Sequence, residues 1–446
     1  MTRAVVLVDG EHYPPVILDA IRSLEERGHQ IVAAVFLGGG EKLSGPLELG
    51  TLPVIVGATQ REGLEHAIDS FAPEVVLDLS DDPVVDARAR FLLASVALAR
   101  GVPYQGADFR FDPPQRPRLA TRPTIAVIGT GKRCGKTAIA GFVARTLASR
   151  GAEVAIVAMG RGGPAEPRVV KGDGAPGVDD LIALSRRGEH AASDVYEDAV
   201  LARVTSVGAR RAGAGLAGAP FFDTVAAAVR AADELAPDLI ILEGSGAAIP
   251  PAAADATILV VPAPAPPELL TSALGPYRLL LADLVAITMA SEPTVSAHAL
   301  SLLTSSIDEL ARGVARVKTE FRPTPLGSIA GRNVFYATTA PLAIGEAIRA
   351  HLEGVHGGHV VGITHHLADR SALASDLAKA EGTYEVLVTE LKAAAVDVAA
   401  TAARAAGAEV IFADNLPIAL EGDLEAEVIA VAELARKRYE AHTDRT

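Results

Sequence analysis

Ile125-Ala-Val-Ile-Gly-Thr-Gly-Lys-Arg-Cys-Gly-Lys-Thr137 decides the fold: a short apolar run, a glycine-containing loop, then Gly135-Lys136-Thr137 opening an amphipathic stretch that continues to Arg150. A strand that feeds such a loop into a helix is the required context of a phosphate-binding P-loop. The chemistry asks for glycines so that consecutive main-chain N–H groups can wrap phosphate oxygens, with the positive end of a helix behind them. Gly129, Thr130, Gly131, Lys132, Arg133, Cys134, Gly135, Lys136 and Thr137 are therefore the expected nucleotide cradle. Lys136 would bridge the β- and γ-phosphates, and Thr137 would ligate Mg²⁺. Lys132 and Arg133 add positive charge to the loop, or are ordinary exposed surface. The strict G-x-x-x-x-G-K-[ST] pattern is not met, because Thr130 stands five residues before Gly135 and the glycines flank it.

Outward from the loop, short Val/Ile/Leu runs alternate with helical stretches, which implies a mainly parallel sheet. Before it lie Ala4 to Val8, Ile31 to Leu37, Val54 to Val56 and Val75 to Leu79, with helices between and one more from Pro83 to Arg100. Asp81 and Asp82 read as N-caps of that last helix. The Pro- and Arg-rich segment Phe109 to Pro123 can hold neither a helix nor a central strand, and marks a boundary. After the P-loop come Val154 to Ala158, a long helix-rich insert to about Ala236, Leu239 to Leu242 and Thr257 to Val261. Further strands are expected at 284–288, 315–318, 334–337, 360–363, 386–388 and 410–413. The expected fold class is α/β: a Rossmann-like N-terminal domain over residues 1–120, then a larger P-loop NTPase-type core over 121–446. No repeat of solenoid length is visible.

Composition narrows the partners. With 41 Lys and Arg against 55 Asp and Glu, the formal net charge of −14 disfavours tracking along nucleic acid. One cysteine, Cys134, excludes an internal disulfide and a thiolate metal cluster, which suits a reducing cytoplasm. The N-terminus lacks a signal peptide's apolar run, and no stretch approaches the ~20 apolar residues a membrane span needs. The expected partners are a small-molecule substrate and a second copy of the chain as a homodimer, with neither nucleic acid nor membrane.

A P-loop needs an acid at the end of a neighbouring buried strand to hold Mg²⁺ directly or through water. Asp238-Leu-Ile-Ile-Leu-Glu243-Gly-Ser-Gly246 supplies Glu243. Between Val154 and Ala236, cations are set among glycines: Arg161 in Met-Gly-Arg-Gly-Gly-Pro, Lys171 in Val-Lys-Gly-Asp-Gly, and Arg210 and Arg211 in Gly-Ala-Arg-Arg-Ala-Gly. In so acidic a chain they read as a polyanion pocket, where amides supplement guanidinium forks; the alternative is solvated loop charge. The first strand runs into Asp9-Gly10-Glu11-His12-Tyr13-Pro14-Pro15, crowding polar groups where doubly wound folds place ligands. His12 could donate to an anion, and Asp9 or Glu11 could orient it. The pair His365-His366 is not a shared metal site, because adjacent side chains on an extended segment point opposite ways.

The loop spacing and I-L-E-G-x-G resemble dethiobiotin synthetase and its relatives. Taken with V-D-G-E-H-Y-P-P, A-M-G-R-G-G-P and G-A-R-R-A-G-A-G-L-A-G, the whole chain resembles the cyclic 2,3-diphosphoglycerate synthetase family. That resemblance implies an ATP- and Mg²⁺-dependent ligase that transfers the γ-phosphoryl group to one phosphate of 2,3-diphosphoglycerate and closes an intramolecular phosphoanhydride. The roles expected of the residues are catalysis by Lys136, Lys132 and Arg161, metal ligation by Thr137 and Glu243, and substrate contacts from His12, Glu11, Arg161, Lys171, Arg210 and Arg211. A carboxylate- or carbamate-activating enzyme of the dethiobiotin synthetase type would share the loop and Glu243 but leave the basic island unexplained. A slow nucleotide switch or metal-insertion chaperone would want His/Cys clusters that the chain lacks.

Overall fold

The computed structural model describes residues 1–42 and 45–444. The chain divides into two compact units: residues 1–115 with returns of the chain at 266–281 and 305–312, and 116–265 with 282–304 and 313–446.

In the first unit, a six-stranded sheet has the order β3-β2-β1-β4-β5-β6. Its strands are β1 (Thr2–Val8), β2 (His29–Phe36), β3 (Val54–Ile55), β4 (Val75–Asp78), β5 (Tyr104–Gln105) and β6 (Arg110–Phe111). All pairs are parallel except β5 with β6. This is the doubly wound order, with its switch point between β1 and β4. Helices α1 (Pro14–Glu26) and α2 (Gln60–Phe71) precede the helix expected from Pro83, which begins later: α3 spans Ala87–Ala99, and its N-cap is Asp86, which accepts from Ala89 N at 2.8 Å. Asp81 and Asp82 stay in the connecting loop, where Asp9 Oδ2 accepts from Asp81 N at 2.6 Å.

The second unit is built on a thirteen-stranded sheet, whose order is β11-β10-β8-β12-β7-β13-β14-β15-β19-β18-β16-β17 with β9 paired to β10. Its first half holds β7 (Thr124–Gly129), β8 (Val154–Gly160), β9 (Arg168–Val170), β10 (Thr205–Ala212), β11 (Phe222–Asp223), β12 (Leu239–Glu243), β13 (Ala256–Pro262) and β14 (Leu284–Thr288). The second half holds β15 (Ala315–Pro325), β16 (Asn333–Ala337), β17 (His359–Thr364), β18 (Val386–Glu390) and β19 (Glu409–Glu421). Strand β7 is buried along its whole length, as an unbroken apolar run between two helical layers must be. Helix α4 (Lys136–Ser149) packs Ile139, Ala140, Val143, Ala144 and Leu147 onto it at helical spacing. The helix-rich insert holds α5 (Val178–Arg186), α6 (Asp194–Leu201) and α7 (Val225–Asp233), and it also contributes the eight-residue β10, parallel to β8.

One feature of this sheet places the site. Strands β8, β12, β7, β13, β14 and the start of β15 run one way. From Lys318 onward β15 continues past their carboxyl edge and pairs antiparallel with β19, which pairs parallel with β18; β16 and β17 share that direction. The two groups of strands are staggered along this ribbon, so their carboxyl ends face each other across a gap of roughly 20 Å. Both groups offer strand-end loops to one space.

Candidate active site

At the carboxyl end of β7 the loop closes tightly. Gly135 has φ +92, and a Cβ there would stand 2.3 Å from Cζ of Phe321, so both the backbone and the neighbouring ring demand glycine. The Cys134 side chain is buried, and its carbonyl accepts from Thr288 Oγ1 at 2.8 Å, which pins the loop to β14. Cys134 is thus a packing residue. Lys136 is buried and lies folded over the loop, donating to Gly131 O at 2.8 Å. Thr130 is also buried, whereas Lys132 and Arg133 are exposed.

Thr137 donates from Oγ1 to Glu243 Oε1 at 2.7 Å, joining the helix start to the end of β12. Burial, and then the Asp194 carboxylate, push the Glu243 carboxyl up to about 8. Asp198 on α6 is also held well above the ordinary carboxylate range, first by burial and then by Glu243. Glu243 Oε2 and Asp198 Oδ1 are buried without a hydrogen-bond partner. Among the described residues, no group of three or more His, Cys, Asp or Glu forms a complete metal cage. Mg²⁺ takes one or two protein oxygens and completes its octahedron with phosphate and water. The hydroxyl of Thr137 and the unpartnered oxygen of Glu243 fit such an ion.

The expected basic island resolves into two groups. A Cβ placed on Gly246 would stand 3.2 Å from Nη2 of Arg161, 3.2 Å from Nη2 of Arg211 and 3.8 Å from Cγ of Lys132, so two guanidinium groups meet at the turn just past Glu243 with the aliphatic stem of Lys132 beside them. Arg211 is buried and donates to Gly213 O at 2.9 Å and Ser245 O at 2.6 Å. Burial and the charge of Arg161 both lower its pKa. Arg210 goes elsewhere. The two arginines sit on β10 rather than on a loop, so their side chains leave opposite faces of the sheet. The Arg210 side chain donates from Nε to Gly163 O at 2.8 Å and lines an open cavity of about 740 Å³ with Arg168 and His190. Lys171 is exposed just beyond β9.

In the first unit, the Asp9 carboxylate is fully buried and gathers its own turn. Oδ1 accepts from Glu11 N at 2.9 Å and from His12 N at 3.3 Å, and lies 2.9 Å from His12 Nδ1. Glu11 and His12 are only half-buried.

Sequence reasoning missed the acids of α6. Asp194, Glu197 and Asp198 share one face of a helix whose apolar residues are buried, and a cation-rich loop facing them is the signal that could have found them. It also missed the far wall. A cavity of about 480 Å³ runs from Lys136, Thr137 and Arg145 to Thr338, Glu390 and Lys392, filling the space between the two facing strand groups.

The parallel sheet, the glycine-constrained loop at a helix start and the strand-end Glu243 define a P-loop nucleotide-binding protein of the α/β class. Family comparisons narrow this. The domains of cyclic 2,3-diphosphoglycerate synthetase match this chain in order: the N-terminal domain over residues 3–112, the P-loop domain over 124–319 and the C-terminal domain over 325–416. Proteins named cyclic 2,3-diphosphoglycerate synthetase are similar over nearly the full length. The one from Rubrobacter xylanophilus is 44% identical, covering 95% of this chain and 96% of its own. The one from Methanothermus fervidus is 40% identical, covering 97% of each. The one from Thermococcus kodakarensis is 42% identical, covering 95% of this chain and 97% of its own. The chain belongs to the cyclic 2,3-diphosphoglycerate synthetase family. Among solved structures, LpxK from Aquifex aeolicus in complex with ATP aligns with a TM-score of 0.42 at 15% identity, over 73% of this chain and 90% of that one.

Proposed function

We propose that the chain synthesises cyclic 2,3-diphosphoglycerate from 2,3-diphosphoglycerate and ATP. An oxygen of one substrate phosphate attacks the γ-phosphorus, and the bond to ADP breaks. An oxygen of the other substrate phosphate then attacks the newly phosphorylated phosphorus, closing the ring and expelling inorganic phosphate. The observation that carries this reading is the meeting of the Arg161 and Arg211 guanidinium groups at Gly246, with the stem of the loop residue Lys132 beside them. A substrate with two phosphates must be brought to a triphosphate, and each like-charge pair at 4 Å costs about 4 kcal/mol at an effective dielectric near 20. Two guanidinium forks offset that repulsion. A single carboxylate or carbamate would not need them.

The chain's own groups divide the work. Loop amides and Lys136 hold the triphosphate and stabilise charge on the transferring group, since phosphoryl transfer depends on positioning and electrostatics more than on covalent help. Mg²⁺, held by Thr137 and Glu243, would supply charge neutralisation between the phosphates. Arg161, Arg211 and Lys132 orient the acceptor. The same reading takes the protein as a cytoplasmic homodimer that binds no nucleic acid, in keeping with its acidic charge; light scattering tests the dimer. The decisive assay follows ADP and phosphate release with and without 2,3-diphosphoglycerate, with ³¹P NMR of the product. Acceptor-dependent turnover with a phosphoanhydride signal supports the synthetase, and slow hydrolysis indifferent to the acceptor would refute it.

A further inference from the structure

The far wall of the cavity carries a cation that the reading above leaves without a task. Lys392 follows β18 by two residues and is carried by the C-terminal group of strands. Its Nζ donates to both carboxylate oxygens of Glu197 on α6, at 2.7 and 2.9 Å. The segment that bears it is fixed by its neighbour: Glu390 is buried and accepts from the Thr338 hydroxyl, from Thr339 N at 3.1 Å and from Thr339 Oγ1 at 2.8 Å. Lys392, Glu197, Lys136 and Thr137 line the same cavity. Asp194 feels the charge of both lysines, Lys392 more strongly than Lys136. Burial alone would lower the Lys392 ammonium, but Glu197 and Glu390 outweigh it and hold the group above its ordinary value, so it stays cationic.

An ion pair between a half-buried lysine and a buried carboxylate is a poor source of stability, because desolvation of the acid offsets much of the attraction. Between the phosphate loop and a facing strand edge, such a pair has a different use. A lysine parked on a carboxylate is a charge already held at the cavity wall, ready to change partners when phosphate oxygens arrive. We propose that Lys392 is a phosphate-binding residue of the reaction, supplied by the C-terminal strands, whose ammonium exchanges Glu197 for phosphoryl oxygens of the bound substrate opposite Lys136. Glu197 is the positioning residue that holds it there. The inference rests on the phosphoryl-transfer reading and extends it across the cavity.

The test separates a phosphate-binding role from a merely structural one. Lys392→Met leaves the Glu197 carboxylate buried and alone, so it should lower the melting temperature as well as activity. The double variant Lys392→Met, Glu197→Gln removes both charges and should recover the melting temperature. If Lys392 binds phosphate, the double variant remains about a hundredfold down in kcat for cyclic product, as expected for loss of one positioned donor. A double variant that keeps more than a tenth of the wild-type kcat would overturn the proposal, because the pair would then only join two elements. Should the double variant fail to fold, Lys392→Gln assayed below its melting transition is read by the same tenfold criterion. Wild-type protein that makes no product from ATP and 2,3-diphosphoglycerate overturns the functional reading itself, whereas an active wild type with an active double variant overturns only the role of Lys392.

Discussion

Two strand ends of this molecule pose the same electrostatic problem and solve it oppositely. After β1, the amides of Glu11 and His12 and, from the loop after β4, the amide of Asp81 all point at the buried Asp9 carboxylate. The chain has placed its own anion in the seat. After β7, the corresponding turn brings glycines and a helix start but no carboxylate, and its lysine folds back on Gly131 O. Gly131 has no neighbouring atom within 4 Å of where a Cβ would stand, so space is kept where Asp9 fills it on the first unit. Doubly wound sheets concentrate positive backbone potential at such strand ends. Whether the end binds a foreign anion depends on whether the chain has already neutralised it.

The largest test of that contrast is Lys136→Ala. Cyclic product formation should fall by about a hundredfold or more, while the melting temperature barely changes, because among the described residues Lys136 donates to Gly131 O and Cys134 Sγ of its own loop. Near-normal turnover would sink the assignment of the β7 end as the phosphate seat.

Next in size is the split between the two arginines of β10. Arg211→Ala and Arg161→Ala should each lower kcat/KM for the diphosphate acceptor by roughly ten- to a hundredfold, in the range of one lost charged hydrogen-bond partner. Arg210→Ala should stay within about threefold, because its side chain donates to Gly163 O on the other face. Equal losses at 210 and 211 would place the acceptor across the sheet edge rather than at Gly246.

These residues also show what a sequence can reveal. The phosphate loop is legible because its parts are consecutive: strand, glycines, Lys136 and Thr137 act through a backbone turn that the order of residues already encodes. Glu243 is legible because a lone acid ending an apolar strand has few other uses. The strand periodicity revealed both sheets, but not β10, where two adjacent arginines among glycines look like a loop; only pairing with β8 shows that one faces the site and the other does not. The α6 acids and Lys392 lie nearly 200 residues apart, and their pairing depends on the reversal of strand direction at β15 and β19. Each alone reads as a solvated surface charge.

Glu243→Gln probes how an empty seat tolerates nearby acid. The folded-state pKa of Glu243 is raised to about 8, so the protonated carboxyl favours the folded state below the ordinary carboxylate value, and that contribution is lost as pH rises toward 8. Without Mg²⁺ the wild type should therefore lose stability between about pH 4.5 and 8. The glutamine variant, which cannot ionise, should show a flatter profile and melt a few degrees higher at pH 8. Parallel melting curves of the two proteins across that range check it, and a wild-type profile no steeper than the variant's would contradict the buried-acid account.

The smallest effect on catalysis is expected where the seat is already filled. Asp9→Asn preserves shape and can keep one oxygen toward the Glu11 and His12 amides, but its NH₂ then faces Asp81 N, turning a 2.6 Å hydrogen bond into two opposed donors. Losing a buried acceptor in this way costs about 1–3 kcal/mol, and the cost falls on the tie between the ends of β1 and β4. Thermal unfolding should show the first unit destabilised while the KM for ATP stays within about twofold, because Asp9 serves its own turn and not the triphosphate. A rise in that KM comparable with the loss at Lys136 would mean that the two strand ends serve one ligand, and that the carboxylate at β1 orients a group that touches it.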